Sequence, residues 1–240
     1  MLAVDALRIL TGASILTFAA ACDIKWRRAP DAAWGVMAGI GAVLLGVQAW
    51  LEPAFVATYL PSLLTAGIVA VLAIVGYLGG LIAGGADAKA LVSLSILAPV
   101  PLDVVWTVPL ESILPLVVTA IANGLVVGLA VPIALLFVNL ARGDVDGWRT
   151  LLATRAPTEN VRERVTWPLE YVDEEGELVT VTMPGNVPVD GFDRDAVLDA
   201  GRERVWVSPK IPFLVPLTFG FAISVILGDP LAAGLRLLLA

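Results

Sequence analysis

The sequence predicts an all-α membrane protein: six transmembrane helices, with a small, partly β soluble insertion before the last. Three observations predict it. The 240 residues are 58% apolar and 15% charged, against about 45–50% and 25% for soluble chains. The apolar residues gather in six long runs. One polar stretch, and only one, is long enough to fold apart from those runs.

The runs are taken in order. Crossing a hydrocarbon core of roughly 30 Å needs about 20 helical residues. Leu2–Cys22, Ala33–Trp50 and Ala57–Ala83 meet that length with few charges. The first has no basic flank before it and carries its basic cluster after it, so it reads as a span rather than a cleaved leader. Ala88–Val108 is interrupted by Pro99 and Pro101, which a spanning helix tolerates when neighbours satisfy the freed carbonyls. Ser112–Ala141 is longer than a bilayer requires and is expected to tilt or project into water. Ile211–Gly228 is the sixth. Between the last two lies the polar stretch from about Arg142 to Pro209. It holds fourteen of the 22 acids and, with Lys210 at its end, nine of the fifteen bases. Within it, Glu170–Thr182 has two β-prone runs around Gly176, a hairpin pattern. Asp193–Arg204 reads as a short polar helix. The expected organisation is therefore residues 1–141 with five spans, 142–209 as the insertion, and 210–240 as the last span and tail.

Basic residues orient the chain. Lys25, Arg27 and Arg28 follow the first span, Lys89 follows the third, and nine bases belong to the insertion. The alternate loops, around Glu52–Phe55 and Thr107–Glu111, have none. By the positive-inside rule the basic side is cytoplasmic and the N-terminus outside. Trp26 and Trp34 then read as interfacial anchors. The net charge of −7 argues against a nucleic-acid partner.

Composition also narrows the chemistry. There is no histidine, which excludes a Ser-His-Asp triad, His-activated cysteine and imidazole metal ligands. Cys22 is the single cysteine, so no intramolecular disulfide or CxxC site can form; it reads as a small buried hydrophobe. No metal or other cofactor is expected. An enzyme built this way works with carboxylates, lysines or tyrosines.

Carboxylates at membrane depth are costly and mark candidate functional residues. Asp5 has Arg8 three residues on, on one helical face, and reads as an interfacial ion pair. Asp103 and Glu111 flank an outer loop and read as solvated. Asp23 and Asp87 differ: they end different spans on the same, cytoplasmic side. Two neighbouring carboxylates do not both ionise easily, so one is held protonated. That pair supplies a base for water and an acid for a carbonyl oxygen. Gly84 and Gly85, just before Asp87, carry no side chain and would let a helix or substrate backbone pass close; a plain Gly-Gly loop is the simpler reading of the two alone. Lys25 and Lys89 each lie two residues past a candidate Asp, a spacing that does not face it on a regular helix. They fit positive-inside anchoring, with a supporting electrostatic role as the alternative.

These segments resemble the archaeal prepilin and preflagellin (prearchaellin) peptidases, membrane aspartyl proteases of the GxGD type. Asp23, Lys25, Arg27, Pro30 and Asp31 match the family's first site, an Asp followed by a basic, Pro-containing stretch. Gly84, Asp87 and Lys89 match the second site, Gly-x-Gly-Asp-x-Lys, with Ala86 in place of the second Gly. Val205–Phe213 is similar to the junction before the family's last span. The resemblance implies an aspartyl endopeptidase with Asp23 and Asp87 as its catalytic pair. Its substrates would be type IV prepilin-like and prearchaellin precursors, cut between a short basic leader and an apolar helix at the cytoplasmic face. Bacterial relatives often carry a Cys-rich zinc module and methyl transfer; one cysteine cannot build that module, and no methyl transfer is expected. The acidic insertion could attract a basic leader, though solvation in high salt explains its acids more simply. Two other functions compete. A small proton- or cation-coupled transporter would use the same carboxylates as relay sites, but no inverted repeat is visible. A membrane scaffold would recruit a partner through the insertion. The sequence does not determine the oligomeric state.

Overall fold

The computed structural model describes residues 2–82, 84–101, 114–161, 165–173, 175–181, 192–230, 233–234 and 238. They form two compact units, residues 1–128 with 212–240, and residues 129–211.

The first unit is helical. α1 (Leu2–Trp26), α2 (Asp31–Leu51) and α3 (Phe55–Leu78) are followed by the shorter α4 (Gly85–Leu97), α5 (Leu116–Gly128) and, after the second unit, α9 (Leu214–Ile226). Four helical stretches are long and apolar enough to cross a membrane: Ala3–Trp26, Asp31–Leu51, Phe55–Leu78 and Leu116–Arg142. The sequence leads one to expect six. The other two, α4 and α9, have 13 residues each, about 20 Å at 1.5 Å per residue. α4 stops at Ala98, whose φ of −129° and ψ of 57° have left the helical region, because Pro99 disfavours a helical residue before it. Asp103 and Glu111, expected at the outer loop, lie outside the described residues. On α3 the apolar side chains of Leu64, Ile68, Val71, Leu72 and Val75 are all more than half exposed. A stripe of that kind needs lipid as its solvent, and the chain is a membrane protein.

Small residues set the helix contacts. A Cβ on Gly220 of α9 would collide with the Ala120 carbonyl oxygen and the Gly124 amide nitrogen of α5, and would lie 2.7 Å from the Gly124 Cα. A Cβ on Gly41 of α2 would lie 2.6 Å from the Leu97 Cα of α4. In lipid, where burial of apolar surface does not distinguish helix from tail, such close backbone approach is what holds helices together. Asn123 of α5 donates to the Ser224 hydroxyl at 2.8 Å and the Gly228 carbonyl at 3.2 Å, and the Thr218 hydroxyl of α9 reaches the Leu16 carbonyl of α1 at 3.2 Å. The core between these helices includes Leu16, Met37, Leu94, Leu97, Leu217 and Phe221.

Two sequence readings change here. The Asp5–Arg8 pair exists, at 3.4 Å, but it is buried rather than interfacial, with Asp5 3% and Arg8 0% exposed. Trp34 is 3% exposed and packs in the helix core, so it does not anchor at an interface. Trp26 is 55% exposed and Cys22 is buried, as expected.

The second unit carries the β structure. α6 (Ala130–Arg142) ends at Gly143, whose φ of 72° lies in the left-handed region glycine tolerates. α7 (Arg149–Leu152) follows. β1 (Thr154–Pro157) and β2 (Thr166–Pro168) flank β5 (Arg204–Pro209) in an antiparallel sheet. β3 (Glu170–Val172) and β4 (Leu178–Thr180) form the expected hairpin, pairing Glu170 with Thr180 and Val172 with Leu178. The Asp173 carboxylate closes its turn by accepting from the Glu175 and Glu177 amides at 3.0 and 2.9 Å. α8 (Arg194–Asp199) is capped by the Asp193 carboxylate, which accepts from the Asp195 and Ala196 amides. It is shorter than the Asp193–Arg204 reading because Gly201, at a φ of 77°, turns the chain out of the helix, and Arg204 enters β5. Asn139 of α6 donates to the Thr150 and Ala153 carbonyls at 2.9 and 2.7 Å, and Arg204 pairs with Asp144 at 3.2 Å.

Candidate functional site

Asp23 lies in the last turn of α1, partly buried. The helix stops three residues later. Arg27 takes a φ of 57°, a conformation uncommon outside glycine, and its backbone amide still reaches the Asp23 carbonyl at 2.9 Å. At this turn the Arg27 charge acts on the Asp23 carboxylate. The Arg27 Nε is buried with no hydrogen-bond partner among the described residues.

Asp87 lies in the first turn of α4. Gly84 stands before the helix in an extended conformation, φ −94° and ψ 113°, and its carbonyl accepts from the Asp87 and Ala88 amides at 3.0 and 3.3 Å. A Cβ on Gly84 would collide with Oδ2 of Asp87 and lie 2.9 Å from its Cγ. The carboxylate is thus folded back over its own turn, in space that only glycine leaves open. Gly85 has a different constraint: a Cβ there would sit 3.3 Å from the Tyr77 hydroxyl of α3. Ala86, where the resembled motif has a second glycine, packs against the apolar core.

α1 and α4 touch, and the two carboxylates feel each other. Asp87 lies outside the four long spans. Burial pushes its carboxyl up to about 6, and the negative charge of Asp23 adds to the rise. Two carboxyls this close, one of them raised toward neutral pH by burial and by its neighbour, can divide the work of base and acid that hydrolysis of an amide requires.

The supporting residues divide. Gly84 and Gly85 both shape the turn at Asp87. The Lys89 ammonium donates to Asp31 at the start of α2, at 2.7 Å, in an exposed pair; it joins α4 to α2 instead of reaching Asp87. The Lys25 ammonium stacks over the Trp26 ring, 4.7 Å from its centroid. Among the described residues, no three carboxylate or cysteine side chains gather as metal ligands would.

Sequence reasoning missed the specific parts of Tyr77 and Arg27. Tyr77 sits at the end of a mostly apolar helix, and nothing local marks its hydroxyl as a neighbour of Gly85. Arg27 is visible as one base of the stretch after Asp23, but its left-handed turn has no signal in a residue other than Gly, Asn or Asp.

Two comparisons with known proteins bear on the chain. Residues 148–230 match the family model described as Archaeal Peptidase A24 C-terminus Type II. That stretch covers much of the β unit and α9, and holds neither Asp23 nor Asp87. The preflagellin peptidase of Methanococcus voltae is 26% identical over 238 aligned residues, spanning 89% of this chain and 92% of that protein. Both findings point the same way: the chain is similar to archaeal peptidases of this kind, over residues 148–230 in the first comparison and over most of its length in the second.

Proposed function

We propose that this protein is an aspartyl endopeptidase that removes the short basic leader of preflagellin-like and type IV prepilin-like precursors at the cytoplasmic membrane face. The observation that carries the reading is the pair of carboxylates: Asp23 from α1 acts on Asp87 from α4, and Asp87 is folded over Gly84 and raised to about 6. Kinship with a preflagellin peptidase supports the substrate class. In this reading the chain crosses the membrane six times, with Asp23 and Asp87 at its cytoplasmic face and the insertion on the cytoplasmic side.

The roles follow from the surroundings. Asp23, with the Arg27 charge acting on it, is the base. It takes a proton from water as the water oxygen attacks the scissile carbonyl carbon. Asp87 gives its proton to the carbonyl oxygen, forming a neutral tetrahedral diol. Asp23 then passes its proton to the departing amine as the C–N bond breaks, while one diol hydroxyl returns its proton to Asp87 and becomes the carbonyl of the new carboxyl group. A bound substrate deepens the burial of Asp87 and strengthens its hold on the proton. Gly84 and Gly85 shape the turn, Lys25 anchors the end of α1, and Lys89 fixes α4 to α2. No cofactor is used, and no methyl transfer accompanies cleavage. The transporter alternative is not favoured, since the kinship is to a peptidase.

The test is processing of a co-expressed preflagellin precursor. Asp23→Asn and Asp87→Asn should each abolish the mobility shift of leader removal while the enzyme remains in the membrane. Normal processing by either well-expressed variant would overturn the pair.

A further inference from the structure

One end of the second unit is apolar and exposed. α6 closes the apolar stretch Leu116–Arg142, and its Phe137, Val138 and Leu140 side chains are exposed. Asn139, among those three, is fully buried and donates to the Thr150 and Ala153 carbonyls at 2.9 and 2.7 Å. That contact fixes a level: the end of α7 lies beside a turn of α6 whose side chains suit lipid. One end of the sheet is tied to the same level, because the Ser208 hydroxyl of β5 donates to the Leu152 carbonyl at 2.8 Å. Ser208 stands opposite Trp167 of β2, and cross-strand partners share a face. The Lys210 amide donates to the Val165 carbonyl at 2.9 Å, and the Lys210 ammonium lies over the Trp167 ring, 3.8 Å from its centroid. Leu151, Leu152, Val165, Trp167 and Ile211 are each 40–48% exposed. The opposite end of the sheet is polar. There Thr158 bonds Glu203, α8 packs on the short turn Thr158–Asn160, and Glu159, Asp195, Asp199 and Glu203 are exposed.

We propose that the apolar end of the second unit is a membrane-contact surface, seated where the phosphate headgroups meet the acyl chains of the bilayer that α6 enters. Continuity assigns the occupant. The patch is level with Asn139, which lies before the apolar stretch ends at Arg142, so lipid already surrounds the neighbouring Phe137 and Leu140. The chain enters the unit along α6 and leaves it at Ile211, inside the patch, for the apolar α9. The side chains agree with that assignment. A tryptophan with a lysine stacked on it joins an apolar ring and an indole N–H to a cation, the combination that settles between acyl chains and phosphates. Scattered apolar residues on a surface need no explanation, but a group of them at one end of a small polar unit does. Lipid removes that group from water. The contact fixes how far the unit stands from the bilayer and how it is rotated, and it holds independently of the peptidase reading.

Depth measurement on the full-length protein tests it, in liposomes of phosphatidylcholine and phosphatidylglycerol. Nitroxide labels are placed singly at Leu152→Cys and Ile211→Cys, with Asp199→Cys on α8 as the control, each in a Cys22→Ser background. Collision rates with oxygen and with a water-soluble nickel chelate give the depth of each label. The labels at 152 and 211 should lie about 5–10 Å into the headgroup and acyl boundary, the depth of an interfacial apolar face. The label at 199 should stay in water. As a second readout, in the chain with its native Cys22, p-benzoylphenylalanine at position 167 should form adducts with lipid. Labels at 152 and 211 as open to nickel as the one at 199 overturn the surface. Adducts at 167 with a second copy of the chain, or with a co-reconstituted preflagellin precursor, in place of lipid also overturn it, since the patch would then be a protein interface.

Discussion

Gly84→Ala isolates geometry from chemistry, because it touches no charged group yet must move one. Gly84 has φ −94° and ψ 113°, which any L-residue adopts. The backbone therefore accepts alanine, and the loss of unfolded-state freedom would even favour folding by about 0.4–1 kcal/mol. The new methyl, however, would start 2.9 Å from the Asp87 Cγ and overlap its Oδ2. Carbon atoms rest about 3.5–4.0 Å apart, so the carboxyl must swing away by about 1 Å. A misplacement of that size costs on the order of 10²-fold in rate, or about 2.7 kcal/mol of transition-state stabilisation. The expected result is a kcat near one hundredth of wild type, a KM within a few-fold, and an unchanged or slightly raised melting temperature. Timed cleavage of a reconstituted precursor, with thermal unfolding of the same preparation, measures all three. A variant that cleaves within threefold of wild type would refute the idea that glycine is there to seat the Asp87 carboxyl.

Three further outcomes can be checked. Removing the Asp23 charge by Asp23→Asn should lower the Asp87 midpoint from about 6, since a neighbouring anion is part of what raises it; burial is the larger cause, so the midpoint stays above the ordinary carboxylate range near 4. Isotope-edited infrared titration of the Asp87 carbonyl stretch reads it, and an unmoved midpoint would show that the carboxylates do not couple. Lys89→Ala breaks an exposed pair with Asp31, worth about 0–1 kcal/mol. Cleavage should persist within a few-fold, whereas complete loss would place Lys89 in the chemistry. Gly220→Ala drives a methyl into the α5 backbone at Ala120 and Gly124. Forcing the helices apart should cost about 1–3 kcal/mol, seen as a lower melting temperature in detergent; an unchanged value would mean that the α5–α9 contact has room for a methyl.

Much of the membrane unit was legible because crossing a bilayer is a local property. Ala3–Trp26, Asp31–Leu51 and Phe55–Leu78 announce themselves by length and hydropathy alone, as no lipid-exposed alternative satisfies the backbone. The hairpin at Gly176 is local too, set by two short β-prone runs and an Asp that closes its own turn. Asp23 and Asp87 stood out because carboxylates at such positions are costly. The features that sequence reading missed are rotational. Trp34 looks like any tryptophan near a helix end, yet α2 turns it into the core. Asp5 and Arg8 were a pair on paper, but their burial depends on which neighbours cover that face of α1.

The sequence by itself determined that this chain enters a membrane, that histidine and disulfide chemistry are closed to it, and which two carboxylates are worth watching. Each of these depends only on composition or on residues close along the chain. The tertiary structure alone decided that Asp87 folds over Gly84 in reach of the Asp23 charge, and that Lys89 serves Asp31. The physical reason is the solvent. In lipid, apolar faces gain little from meeting one another, so hydropathy does not say which face of a helix turns inward. That choice falls to close approaches such as Gly41 on Leu97 and Gly220 on Gly124, and these exist only once the helices have packed.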